Sequence, residues 1–197
     1  SENKTYLENV VPTGYERIYR QDFEILVSQF ALKNYKSKTD TVLMVLDIDL
    51  NKIKNLGIKS SAWNIIKRIR FFLEWESRYS LSNPNPQVHP SEDWLIQNES
   101  IPQKVRQLDI PNMIAYVNLR NQNQPLVILH EMKHVYHNTL ETDQIKRIRD
   151  TYLNAMEQNL YQSVSYAHGD GTFDNEVKAY AANDEFEYFA EITTAYF

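Results

Sequence analysis

The chain has 197 residues, of which 42% are hydrophobic and 24% charged, so it can bury a sizeable core and is not a disordered chain. Its formal net charge of -5 argues against a nucleic-acid-binding protein, because binding to phosphates depends on clustered lysine and arginine. It contains no cysteine, which excludes disulfide bonds, thiolate zinc ligands and cysteine nucleophiles.

The first third of the chain predicts two helices with a strand between them. Apolar residues spaced for one buried stripe predict a helix over residues 20–30. The β-branched and apolar run over residues 41–48 predicts a buried strand. Either Ser60 or Ser61 can act as the N-cap of a second helix, whose apolar side extends to Phe72.

The middle of the chain predicts a loop, a strand and a turn. Residues 82–90 include three prolines and two asparagines, a composition typical of a loop. Alternating character then predicts a strand over residues 112–119, and a polar turn follows at residues 120–125. Composition does not shift across the loop, so it is not a domain linker and a single domain is predicted over residues 1–197.

From Leu126 onward the spacing of apolar residues is helical. It predicts one helix over residues 126–140 and a second, with one apolar face, over residues 143–162. Strands in the first part of the chain and helices in the second part together predict an α+β fold with a small mixed sheet.

A break and a last helix complete the predicted elements. Gly169 and Gly171 interrupt the helical pattern. Either Asn183 or Asp184 is the expected N-cap of a final helix that runs through Phe197.

His130, Glu131 and His134 match the H-E-x-x-H pattern. Residues four apart on an α-helix lie on the same side, so the two imidazoles can point at one metal ion. Glu131 is rotated by about 100° from His130, so it can reach a water beside the metal more easily than the metal itself. The preceding residues 126–129 are apolar, which predicts a buried motif, and buried histidines and a buried glutamate need a strong partner such as zinc.

Catalytic zinc usually has three protein ligands, so a third ligand is expected elsewhere in the chain. His137 follows His134 by three residues on the same helix, which cannot deliver it well to the same metal, so we expect a surface or hydrogen-bonded histidine. Glu187 and Glu191 stand four apart on the last helix and share one face. One can bind the metal and the other can orient a ligand histidine. The alternative is a polar helix edge that faces solvent.

The two motifs together resemble a known family. Leu129-His130-Glu131-x-x-His134, followed by Glu187-Tyr188-Phe189-Ala190-Glu191, is similar to the metallopeptidase domain of anthrax lethal factor and of the clostridial Pro-Pro endopeptidases. In that family the second motif is E-F-F-A-E, so the tyrosine here is a conservative departure. The resemblance covers residues 127–197 only, and nothing upstream is specific to these peptidases.

The resemblance implies a zincin-like fold and a role for each motif residue. His130, His134 and Glu187 would bind one zinc ion per chain, and Glu191 would be the supporting carboxylate. Glu131 would be the catalytic base. Tyr180, at the offset where the family has a tyrosine, would help to stabilise the transition state. The active helix and the last helix would carry these residues.

The function that these expectations favour is a zinc-dependent endopeptidase acting on a peptide or protein. We expect an extended peptide to pair with the strand predicted over residues 113–119. A zinc-binding recognition domain without catalysis and a zinc hydrolase of a non-peptide amide are the alternatives. The sequence does not specify which peptide is cut or the oligomeric state.

Expectations about location are limited. The longest clean apolar run, residues 42–46, is far shorter than the ~18 residues of a membrane span, so none is predicted. Resemblance to secreted toxins and peptidases implies a secreted or periplasmic protein, although no signal peptide is expected at Ser1.

Overall fold

The computed structural model describes residues 10–168 and 170–197. The expectations for Ser1 and Gly169 therefore lie outside the described residues. The chain forms two compact units, one ending at Asn118 and the other beginning at Leu119. Compact units of this kind can belong to one domain, so the single domain over residues 1–197 stays a prediction.

A five-stranded mixed sheet forms the centre of the first unit. Its strands in chain order are β1 (Tyr15–Arg20), β2 (Phe23–Ser28), β3 (Arg70–Leu73), β4 (Gln87–Val88) and β5 (Leu108–Ile110). The order across the sheet is β1-β2-β3-β5-β4. The three central strands are parallel to one another, and the two outer strands are antiparallel to their neighbours. The predicted α+β class with a small mixed sheet is confirmed.

Short helices and one long helix accompany this sheet. In chain order they are α1 (Gln29–Asn34), α2 (Lys36–Lys54), α3 (Ser60–Ile66), α4 (Glu92–Gln97) and α5 (Met113–Gln122). Two 3-10 turns, Arg78–Leu81 and Pro102–Lys104, lie between them. The long helix α2 buries one side, which includes Val42, Leu46, Leu50 and Ile53.

Two predictions in the first unit are wrong because short buried elements have similar apolar content whether helical or extended. Residues 20–30, predicted as a helix, contain β2, whose residues Phe23, Ile25, Leu26 and Val27 are fully buried. Residues 41–48, predicted as a strand, lie within α2. The run is only eight residues long, and a window of that length does not distinguish a buried strand from a buried helix segment.

The strand predicted over residues 112–119 is also wrong, because this segment forms α5. The side chain of Asn112 accepts hydrogen bonds from the backbone N–H groups of Ile114 (3.1 Å) and Ala115 (2.9 Å), which is the contact of a helix N-cap. Met113 and Tyr116 are buried at helical spacing. The prediction that a peptide pairs with a strand at residues 113–119 is therefore wrong.

Other boundaries in the first unit differ from the prediction in smaller ways. Helix α3 begins at Ser60 with Lys59 as its N-cap, and it ends at Ile66. Phe72 lies in β3 instead of continuing that helix. The predicted loop over residues 82–90 is irregular except for β4.

A buried polar cluster lies beside the sheet in the first unit. Lys104 and Asp109 are both 0% exposed, and their charged atoms Nζ and Oδ1 are 3.0 Å apart. The Lys104 ammonium also contacts the carboxylate of Glu74 and, at 2.9 Å, the hydroxyl of Tyr79. His89 places Nε2 2.8 Å from Oδ2 of Asp109. Each buried charge in this cluster thus has an opposite charge supplied by the chain.

The second unit is mainly helical. Its elements are α6 (Val127–His137), α7 (Thr142–Glu157), strands β6 (Val164–Ala167) and β7 (Phe173–Val177), the 3-10 turn Tyr180–Ala182 and α8 (Glu185–Ala195). The antiparallel strands form a two-stranded hairpin. The three predicted helices are confirmed with shorter bounds. Within residues 10–168 and 170–197, no helix is long and apolar enough to cross a bilayer.

Candidate metal centre

Helix α6 presents the H-E-x-x-H motif because one of its sides is anchored in apolar packing. The buried apolar side chains along it are Val127, Ile128, Leu129, Met132 and Val135. His130 and His134 lie on a partly exposed side, with ring centroids 4.8 Å apart. Their Nε2 atoms are 3.0 Å apart, so the two imidazoles point at one place, as the spacing predicts.

Helix α8 delivers a carboxylate to the same place. Its N-cap is Asp184, whose side chain accepts hydrogen bonds of 2.9 Å from the backbone N–H groups of Phe186 and Glu187. Of the two predicted N-caps, the structure therefore uses Asp184. The cap fixes the backbone of Glu187 directly, and α8 packs against α6 along its length.

Three potential ligand atoms form a nearly equilateral triangle. Oε2 of Glu187 lies 3.2 Å from Nε2 of His130 and 3.4 Å from Nε2 of His134, and the two nitrogens are 3.0 Å apart. His130, His134 and Glu187 could hold a metal ion. A tetrahedral zinc ion with bonds near 2.0–2.1 Å would separate its ligand atoms by about 3.3 Å. The triangle has this size.

The chemistry of the donor set also fits a cation. Among the described residues, Oε2 of Glu187 is one of the buried oxygens without a hydrogen bond of good geometry, and its nearest polar neighbours are the two imidazole nitrogens. A buried acceptor without a donor is costly, and a metal ion would remove that cost. Two imidazoles and one carboxylate are the ligand set of known catalytic zinc sites that keep a fourth position open.

The charges of the three groups are coupled in the metal-free state. Burial alone lowers the pKa of His130, but its contacts with Glu187 and Glu191 raise that pKa to about 10. Burial alone raises the pKa of Glu187, but its contacts with His130 and His134 lower that pKa to about 2. A proton on His130 therefore supplies the positive charge until a metal replaces it.

Glu191 contacts the other nitrogen of a ligand histidine. Its Oε1 atom lies 2.8 Å from Nδ1 of His130, and its side chain is partly exposed. A carboxylate at this position accepts a hydrogen bond from Nδ1–H. This contact fixes the ring orientation and leaves Nε2 of His130 free to bind a metal. The structure thus separates the two motif glutamates of α8: Glu187 is part of the triangle, and Glu191 contacts the far side of the His130 ring.

Glu131 lies next to the triangle without being part of it. Its carboxyl group is buried, and its Oε1 atom is 4.0 Å from Nε2 of His130. Burial raises the pKa of Glu131 to about 7, although the neighbouring His130 and His134 lower it. A carboxyl group with a pKa near neutrality can both accept and return a proton under physiological conditions.

Tyr180 lies at the edge of the same group. Its ring centroid is 6.2 Å from that of His130, and its side chain is 57% exposed. Partial burial raises the pKa of Tyr180, and the charges of Glu187 and Glu131 raise it further. The hydroxyl therefore stays protonated at neutral pH and can donate a hydrogen bond.

His137 has neither of the environments predicted for it. The side chain is only 2% exposed, and its Nε2 atom has no hydrogen-bond partner among the described residues. Its ring packs against Phe186 (4.8 Å between centroids) and Phe189 (5.3 Å), which flank Glu187 on α8. Burial lowers the pKa of His137, so it packs as a neutral ring that joins α6 to α8.

The structure brings together all six residues of the predicted site, but it also shows supporting residues that the sequence did not indicate. Tyr152 and Tyr161 contact the segment around Tyr180. The chain contains 13 tyrosines, so residue type alone cannot distinguish these two. Their positions depend on how α7 and the hairpin fold back toward α8, which no local pattern predicts.

Comparison of the chain with protein-family models, curated proteins and solved structures gives no match. The similarity to the lethal-factor type of metallopeptidase therefore depends on the motif residues alone and stays a prediction.

Proposed function

We propose that this protein is a zinc-dependent endopeptidase in which His130, His134 and Glu187 bind one zinc ion. One observation supports this most directly: one carboxylate is placed to bind the metal, and a second lies beside it without being placed to bind. Oε2 of Glu187 completes the triangle of potential ligand atoms, whereas Glu131 stays outside it, 4.0 Å from Nε2 of His130. A site that only binds metal has no use for the second carboxylate.

The residues in and around the triangle have different roles in the proposed hydrolysis. A bound zinc ion supplies Lewis acidity, which acidifies water and polarises the substrate carbonyl. Glu131 accepts a proton from the attacking water at its carboxylate and then transfers it to the leaving amine. Glu191 holds the Nδ1–H of His130 and so keeps that imidazole in the tautomer that binds metal through Nε2.

Tyr180 acts on the substrate. Its raised pKa keeps the hydroxyl protonated, and its exposed position beside His130 lets it donate a hydrogen bond to the oxyanion that forms from the peptide carbonyl. Tyr180 and Glu131 together favour an enzyme over a recognition domain.

Glu131→Gln tests the proposal. The amide cannot accept the proton, so cleavage of a peptide-library substrate should fall by about 10²–10⁴-fold. Metal analysis should still find about one zinc per chain, because Glu131 is not one of the ligands. Glu157→Gln, which makes the same change at an exposed position of α7, is the matched control and should behave as the parent.

Two results would contradict this proposal. If the parent protein binds no zinc after zinc supplementation, the metal centre is wrong. If it binds zinc but a diverse peptide library stays intact, with and without a chelator, the site belongs to a recognition domain or to a hydrolase of a non-peptide amide.

A further inference from the structure

The side chain of Tyr180 does little to hold the segment that carries it, although the small side chains of Ala181 and Ala182 are buried. It is a single 3-10 turn, Tyr180–Ala182, between the end of β7 and the N-cap of α8. The Tyr180 side chain is largely exposed, so its own packing contributes little to fixing the ring. An oxyanion donor must be held within a fraction of an ångström of its working position. The position of Tyr180 therefore depends on the buried alanines of the turn and on contacts from other segments.

One anchor lies at the start of the turn. The backbone N–H of Ala179 donates a 2.8 Å hydrogen bond to the carbonyl oxygen of Tyr161. Tyr161 has φ of 65°, a left-handed conformation that is unfavourable for a bulky side chain. Strain of this kind persists only where the surrounding structure requires it. Here it directs the Tyr161 carbonyl toward the residue that precedes Tyr180.

A second anchor lies at the end of the turn and comes from helix α7. The hydroxyl of Tyr152 lies 3.3 Å from the carbonyl oxygen of Ala182 and 3.4 Å from that of Asn183. One hydroxyl proton is shared between two acceptors, which accounts for the length of both contacts. These two carbonyls immediately precede Asp184, so the contact lies between the Tyr180 turn and the start of α8.

The two anchors are joined through an aromatic contact. The ring of Tyr188, next to Glu187 on α8, packs against Tyr152 (5.8 Å between centroids) and against Tyr161 (6.0 Å). Tyr152 therefore has two separable contacts. Its ring supports Tyr188, and its hydroxyl contacts the carbonyls that follow Tyr180.

We propose that Tyr152 is a positioning residue, whose hydroxyl holds the turn Tyr180–Ala182 so that the Tyr180 hydroxyl meets the substrate oxyanion. This inference rests on the proposed peptidase function. It assigns α7 a part in the reaction, although Tyr152 itself touches neither the metal ligands nor the substrate. Glu187 is held separately by the Asp184 cap, so loss of the Tyr152 hydroxyl should leave the zinc ligands in place.

The first test is a double-mutant cycle on the zinc-loaded protein. Tyr152→Phe keeps the ring against Tyr188 and removes only the hydroxyl. We expect kcat to fall by roughly ten- to a hundredfold, as for other small misplacements of a catalytic group, with KM and zinc content unchanged. In a Tyr180→Phe background the same change should have no further effect on kcat. The Tyr180 hydroxyl, through which Tyr152 acts on the reaction, is then already absent.

The second test does not depend on activity. Hydrogen–deuterium exchange of the metal-free protein reports how firmly the turn is held. Tyr152→Phe should speed exchange severalfold at the amides of Ala179, Ala182 and Asn183, and leave the amides of α6 unchanged. Tyr161→Phe is the matched control. It removes a hydroxyl from the same aromatic cluster but keeps the main-chain carbonyl that anchors Ala179, so it should leave exchange and kcat unchanged.

The outcomes separate the two proposals. An equal loss of kcat in both backgrounds, or unchanged exchange in the turn, would overturn the positioning role of Tyr152. If the parent cleaves no peptide, the proposed function fails, and the exchange experiment alone decides whether Tyr152 holds the turn. Faster exchange throughout the second unit would also overturn the proposal, because the hydroxyl would then be a general structural contact.

Discussion

The two units of this protein both bury charged groups, but they balance the charge in different ways. In the first unit the cation is Lys104, a residue of the chain, and it lies 3.0 Å from the Asp109 carboxylate and against Glu74. In the second unit the carboxylate of Glu187 faces two imidazoles, and only a proton or a metal ion can supply the positive charge.

This difference distinguishes a structural cluster from a candidate site. Burial of charged groups is common to both units, so burial alone does not indicate a ligand. In the first cluster both carboxylates lie against a cation of the chain, the Lys104 ammonium. Each cluster has a buried carboxylate oxygen without a hydrogen bond, Oδ1 of Asp109 in the first and Oε2 of Glu187 in the second. Oδ1 of Asp109 is paired with the Lys104 ammonium, whereas Oε2 of Glu187 lies with two imidazole nitrogens in a triangle that could hold a metal ion. Loss of the lysine should therefore affect stability, whereas loss of residues around the triangle should affect metal binding.

Removal of the Lys104 ammonium from the first cluster should have the largest effect on stability. Lys104→Met leaves the buried Asp109 and the half-buried Glu74 without their lysine, which should lower the free energy of unfolding by about 3–5 kcal/mol. Urea unfolding measures this loss. Zinc affinity of the folded variant should match the parent, since no ligand of the second unit changes. If the variant is as stable as the parent, the first cluster is not held together by its charges.

Removal of the carboxylate ligand should affect metal binding. Glu187→Gln should weaken zinc binding by more than about 100-fold. Mutation of a residue that only hydrogen-bonds to a metal ligand already lowers metal affinity by about 10–100-fold, and Glu187 is itself a proposed ligand. Competition with a chromophoric chelator measures the affinity. Glu185→Gln, which neutralises a neighbouring glutamate 3.8 Å from Arg149, is the matched control. Equal affinities of the two variants would show that Glu187 is not a ligand.

The supporting carboxylate should matter less. In Glu191→Gln the amide oxygen can still accept the Nδ1–H of His130, but the negative charge is lost. We therefore expect zinc affinity to fall by about tenfold, the lower end of the range for such partners. The same chelator competition applies. A loss as large as that of Glu187→Gln would mean that the roles of the two glutamates are reversed.

The pH dependence of zinc binding should be the most gradual effect. The pKa of His130 is raised to about 10 in the metal-free state, so its imidazolium must lose a proton before it binds zinc. Protons therefore compete with zinc below pH 10, and affinity should rise by about tenfold per pH unit between pH 6.5 and 8.5. Chelator-buffered titrations would show a flat profile if His130 were not a ligand.

The candidate site could be predicted from the sequence because its signals are local. His130 and His134 share one helix face by spacing alone, and Asp184 is a recognisable N-cap that places Glu187 in the first turn of α8. The approach of α8 to α6 was expected because a third metal ligand was needed and because of the family resemblance, and no local pattern predicts it. His137, buried among phenylalanines, was not expected, since a lone histidine gives no sign of its burial.

The first unit was predicted less well because its elements depend on packing between distant segments. Residues 20–30 and 41–48 are similarly apolar, yet one contains a strand and the other lies in a helix. For α5 a local signal did exist, since Asn112 caps the helix and could have outweighed the alternation that follows it. Lys104 became a buried cation only when Asp109 and Glu74 were brought beside it.

The distance along the chain between the metal ligands has a further consequence. His134 and Glu187 are 53 positions apart, and the segment between them contains α7 and the hairpin. A metal ion that joins them closes a long loop, and because the ligands meet only in the folded state, its binding stabilises that state. In a protein with no cysteine this cross-link is reversible, so the folding of the second unit would depend on the concentration of free zinc.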